Sequence, residues 1–80
     1  MVYIFAGSYQ IAADTARAAG LGRIRWQFIA SKYTLLGRRG IRIWTVPAGL
    51  TDHPQWRSVA AEISNMRAMG YLAEDKDETA

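Results

Sequence analysis

Few side chains in this 80-residue chain are suited to bond-making chemistry. There is no cysteine and a single histidine, His53, so thiolate nucleophiles, disulfide frameworks and sites built from several imidazoles are excluded. Asp52 precedes His53 directly. Adjacent side chains at a helix start diverge, so the aspartate reads more simply as a helix cap than as the partner of a base. Asp14 and Glu62 stand singly on predicted helices, and no serine is obviously paired with a base. The chain is therefore expected to be non-enzymatic, with no metal and no cofactor.

What the chain does carry is positive charge in one block. Between Asp14 and Asp52 there is no acid, while Arg17, Arg23, Arg25, Lys32, Arg38, Arg39 and Arg42 all fall there. Four acids, Glu74, Asp75, Asp77 and Glu78, crowd the last residues. Without residues 74–80 the balance is nine basic groups against three acidic ones, so the formal +3 understates the charge of the rest. A field of that sign attracts phosphates, nucleic acid or an acidic protein face. Arg23, Arg25, Arg38, Arg39 and Arg42 are the candidate anion-binding or nucleic-acid-binding residues.

A second candidate is the turn Gly7-Ser8-Tyr9-Gln10, where a short apolar run gives way to a helix. Backbone amides at a helix N-terminus, with a serine hydroxyl beside them, favour a phosphate. The same residues also make an ordinary strand-to-helix turn with a capping serine. The patterns GxxxxGK[ST] and GxGxxG are absent, which argues against nucleotide hydrolysis.

These groups must be positioned by a small α/β domain. Val2–Ala6 is a continuous apolar run suited to a strand buried on both faces. Ser8 then caps a helix over Tyr9–Ala19, with Ile11, Ala12, Thr15, Ala16 and Ala19 on one side and Gly20 as its stop. Arg23–Ile29 alternates, placing Ile24, Trp26 and Phe28 opposite Arg23, Arg25 and Gln27, which predicts a half-exposed strand whose rings face the core rather than a stack of bases. Ser31–Leu36 suits one helical turn with Tyr33 and Leu36 inward.

Ile41–Val46 is a third strand, ended by Pro47. If Ile41, Ile43 and Thr45 face the core, Trp44 points outward with Arg42 and becomes a candidate interface anchor. Trp56, Val59, Ala60, Ile63 and Met66 recur at helical spacing after Pro54, and Gly70 closes that helix. The expected fold is a three-stranded, mostly parallel sheet of order 2-1-3 with two main helices, a Rossmann-like fragment. A third strand running antiparallel is the alternative, because residues 31–40 are short for a parallel crossover. Residues 1–73 form the single domain, and 74–80 are expected to be a flexible acidic tail.

The series Tyr3-Ile4-Phe5-Ala6-Gly7-Ser8-Tyr9, Arg25-Trp26-Gln27-Phe28-Ile29 and Leu35-Leu36-Gly37-Arg38-Arg39-Gly40-Ile41 resembles small uncharacterised α/β proteins of actinobacteriophages. The layout also looks like the first βαβ portion of a nucleotide-binding domain whose phosphate loop lacks its lysine. That resemblance implies a phage-encoded protein in the host cytoplasm and carries no activity to transfer. The arginine-rich composition leads to a binding protein for nucleic acid or a nucleotide. The competing expectation is a protein-interaction module, a homodimer or host-factor binder, that uses an exposed strand edge and Trp44. No apolar run approaches the roughly 20 residues of a membrane span.

Overall fold

Val2–Phe5 forms strand β1 at the centre of a parallel sheet, flanked by β2 (Trp26–Phe28) on one side and β3 (Ile41–Thr45) on the other. The architecture comes from a computed structural model that describes residues 1–77 other than the side chain of Arg23. The first helix, α1 (Tyr9–Ala18), connects β1 to β2, and α2 (Trp56–Ala68) follows β3. The order 2-1-3 and the parallel third strand are as expected, and the class is α/β.

The sheet has four strands among the described residues rather than three. Leu72–Asp77 is a strand, β4, parallel to β3, so the sheet runs β2-β1-β3-β4. The segment read as a loose acidic tail is thus ordered up to Asp77, and residues 78–80 lie outside the described residues. Its local composition is poor for a strand. Long-range pairs compensate. Arg42 and Glu74 are register partners joined by an ion pair of 3.2 Å, and Arg67 on α2 pairs with Asp75. Leu72 anchors the start of β4 in the core, and one extra residue, Ala73, bulges before the register resumes at Glu74.

Strand alternation divides the core in two. Tyr3, Phe5 and Ile43 point to the side covered by α2, where Val59, Ile63 and Met66 meet them together with Ile29 and Leu35. Val2, Ile4, Ala6, Trp44 and Val46 point to the other side, against Ala12 and Ala16 of α1. The alanines let that helix sit close to the strands, and each large aliphatic or aromatic group buried contributes on the order of 1.5–3 kcal/mol. Helix α1 starts as its sequence suggests, with the Ile11 amide donating to Ser8 Oγ at 3.3 Å.

Three local expectations change. Arg23–Arg25 is a 3₁₀ turn and not the first half of a strand, so Ile24 is 86% exposed. Lys32–Thr34 is also a 3₁₀ turn, and its tighter pitch turns Leu35 inward while Tyr33 and Leu36 remain exposed. Asp52 ends the 3₁₀ turn Leu50–Asp52, so it does not cap α2, whose N-cap is Gln55.

Candidate nucleic-acid interface

In a parallel sheet every helix-to-strand connection returns to the same edge, the one where the strands begin. Arg25 immediately precedes β2, Arg38 and Arg39 lie in the turn before β3, and Arg17 is in the last turn of α1, which ends at that edge. Neighbouring strands are about 4.8 Å apart, so the starts of β2 and β3, on either side of β1, are about 10 Å apart. The parallel order therefore gathers arginines that are far apart in the chain.

Each is held differently. Arg38 donates from Nε to the Thr34 carbonyl at 2.7 Å, and its guanidinium lies 5.3 Å from the Tyr3 ring centre. Arg39 lies 4.6 Å over the ring of Tyr71, whose carbonyl accepts the Gly40 amide. Such cation–ring contacts orient a guanidinium without neutralising it. Arg25, Arg38 and Arg39 are exposed and have no ion pair among the described residues. Glu62 shares a shallow depression of about 160 Å³ with Arg38, Arg39, Asn65 and Tyr71 and offsets part of their field.

Arg42 leaves the set. It faces the α1 side of the sheet, where Nε and Nη2 both donate to Glu74 Oε1. Arg23 contributes its backbone to the 3₁₀ turn, and its side chain lies outside the described residues. The acidic segment thus silences one of the five candidates and leaves Arg25, Arg38 and Arg39 without an ion pair among the described residues. Sequence spacing alone could have flagged this, because Arg42-x-Trp44 and Glu74-x-Lys76 share the two-residue period of facing strands.

Trp44 is not the outward anchor its alternation suggested. It is 6% exposed, packed with Val2 and Ile4, and its indole N–H donates to Glu74 Oε1 at 2.6 Å while Lys76 lies 4.7 Å over the ring. The reason is that this part of the face belongs to the core against α1, and the Glu74 and Lys76 side chains of β4 close over the ring.

That indole hydrogen bond, with the Arg42 charge beside it, holds the Glu74 carboxyl below its ordinary value against a smaller opposing effect of desolvation. A lowered acid contributes stability that is present above its unfolded pKa of about 4.3 and disappears as pH falls through the folded value. Glu74→Gln should therefore flatten the loss of thermal stability on acidification below that point. An unchanged acid limb in melting curves would show that the carboxylate is not coupled to folding.

The Gly7-Ser8-Tyr9-Gln10 turn is occupied by folding duties. A Cβ on Gly7 would overlap the Gly49 carbonyl oxygen, so the loops after β1 and β3 touch beside this turn. Ser8 Oγ is engaged with the Ile11 amide, and the Asp52 carboxylate stands close to Gly49, unfavourable company for a phosphate. Tyr9 and Gln10 instead face a cleft beside β2.

His53 does a structural job. It is 1% exposed, edge-on to Phe5 and close to Phe28, each at 5.6 Å between ring centres. Nδ1 accepts the Gln55 amide at 3.0 Å, so the proton must sit on Nε2, which donates to the Ile29 carbonyl at 2.7 Å.

No protein-family model, curated protein or solved structure matches the chain. The functional reading accordingly rests on the geometry of the basic edge.

Proposed function

We propose that this protein is a non-catalytic binder of anionic polymers, nucleic acid first and a nucleotide second, acting through the N-terminal edge of its sheet. The observation that carries the reading is that Arg25, from one connection, and Arg38 and Arg39, from another, come to that edge and form no ion pair among the described residues, while Glu74 and Asp75 of β4 are spent on Arg42 and Arg67. Exposed Ile24 and Met1 stand among them and add apolar contact to the charge.

The competing module for protein partners has less to work with. Trp44 is buried, β2 offers an edge of three residues, and β4 carries four successive charged residues, the pattern that discourages strand pairing.

Titration of the chain with labelled DNA at several salt concentrations tests the reading. Arg39→Glu should weaken low-salt binding by about tenfold and lower the salt slope by about one. Arg57→Glu makes the same change in net charge on the first turn of α2, at the opposite edge of the sheet, and should have little effect. Equal losses in the two variants, or no salt-dependent binding by the wild type, would overturn the assignment.

A further inference from the structure

Between α1 and the outer strand β2 lies a cleft of about 300 Å³ lined by Tyr9, Gln10, Ala13, Arg17, Leu21 and Trp26. Its wall is aromatic and firmly backed. The Tyr9 and Trp26 rings are 5.6 Å apart and tilted by 37°, and Tyr9 also meets Phe28 edge-on at 5.9 Å. Phe28 in turn packs on the buried ring of His53. Although Tyr9 is 62% exposed, it is thus braced by the core rather than free to swing, and Trp26 is half-buried with surface left open to the cleft. The methyl side chain of Ala13 on α1 leaves the space unfilled.

The polar groups are pre-set as well. Asp14 accepts from Gln10 Nε2 at 3.0 Å and from Arg17 Nη1 at 3.3 Å, which aligns both along the helix. The contact is an exposed ion pair that offsets part of the Arg17 charge, but a guanidinium has five N–H groups, so Arg17 keeps donors to spare. The end of the cleft at Arg17 and Leu21 meets the connection that carries Arg25, the residue before Trp26. A ring-lined recess therefore ends beside Arg17 and the connection that carries Arg25.

We propose that this cleft takes one unpaired base of a single-stranded nucleic acid, stacked on Trp26 and Tyr9, with the flanking phosphates led by Arg17 and Arg25 toward Arg39. The inference rests on the basic-edge reading and narrows it from any polyanion to single strands. Every base has a π-face, so such a platform is tolerant of sequence, whereas bases paired in a duplex cannot enter it. A free mononucleotide would use the recess but not the arginines beyond it.

Binding should be compared for a short oligothymidylate, a duplex of equal length, thymidine monophosphate and inorganic polyphosphate. Wild type should prefer the single strand. Tyr9→Leu with Trp26→Leu should weaken that complex by about five- to a hundredfold, the span expected for one stacked base, and leave polyphosphate binding unchanged. Ala13→Leu fills the recess while keeping both rings and all charges, so it should give the same selective loss without disturbing the aromatic wall. Equal affinity for single strand and duplex, an oligomer bound no better than the monophosphate, or variants that bind the single strand normally would overturn the cleft assignment and leave the arginine edge standing. Failure of the wild type to bind even polyphosphate at low salt would remove the edge reading, and the cleft with it.

Discussion

His53→Ala should bring this protein close to unfolding at ordinary temperature, the largest effect expected from a single substitution here. Two contributions add. Removing the ring opens a cavity between Phe5 and Phe28, and large-to-small changes of this kind cost about 3–5 kcal/mol. The buried Ile29 carbonyl also loses its partner, and a buried polar group left unsatisfied costs about 1–3 kcal/mol, while the amide of exposed Gln55 can turn to water. For 80 residues the whole stability is roughly 4–12 kcal/mol, so the loss is comparable with the total. Each kcal/mol corresponds to about 4–8 °C in a domain of this size. His53→Phe separates the contributions. It keeps most of the volume but neither hydrogen bond, and it should fall between the wild type and the alanine variant in a melting series. If the phenylalanine protein melted with the wild type, the imidazole would be acting as a space-filler alone.

Gly7→Ala comes next, for a different reason. The added methyl group meets backbone, the Gly49 carbonyl, which cannot rotate away as the end of a side chain can. One of the two loops must move, and overpacking of this sort costs about 1–3 kcal/mol, occasionally more. Because those loops join β1 to α1 and β3 to α2, the strain should be felt on both sides of the sheet. Gly22→Ala is the matched control, since nothing lies within 4 Å of its Cβ position and its φ of −76° suits alanine. Urea titrations should show a clear drop in midpoint for the first variant and little change for the second. Equal midpoints would mean that the loop after β3 yields without cost.

The contrast between β1 and β4 shows why parts of the fold were legible and others were not. Val2–Phe5 announces itself because hydrophobicity, β-branching and the Gly-Ser turn act within a few residues. The α2 stripe is similar, with Val59, Ile63 and Met66 buried as their spacing predicts. Leu72–Asp77 gives no such local sign. Its strand state depends on Arg42 and Trp44, about 30 residues earlier, and on Arg67 of α2. Trp44 is buried for the same kind of reason, since Val2, Ile4 and the Glu74 and Lys76 side chains that enclose it are distant in the chain.

The basic site divides in the same way. An excess of arginine between Asp14 and Asp52 is plain in the order of residues, yet whether a given arginine is available depends on what stands across from it in space. Arg42 is taken by Glu74, whereas Arg25 and Arg39 form no ion pair among the described residues. Tyr9 was read as part of a phosphate turn because of its place after Ser8, but its ring packs against Trp26, and no periodicity links a helix start to a strand 17 residues on.

From its residues alone, then, this chain is committed to an α/β class and a surplus of positive charge, with a mostly parallel 2-1-3 sheet as the expected order, because helix stripes, apolar runs and charge counts are local or additive properties. Only the tertiary structure decides that the acids form a fourth strand, which arginines keep their charge, and where an aromatic recess opens. Ion pairing and ring packing fall off over a few ångströms, so they answer to neighbours in space and not to neighbours in the chain.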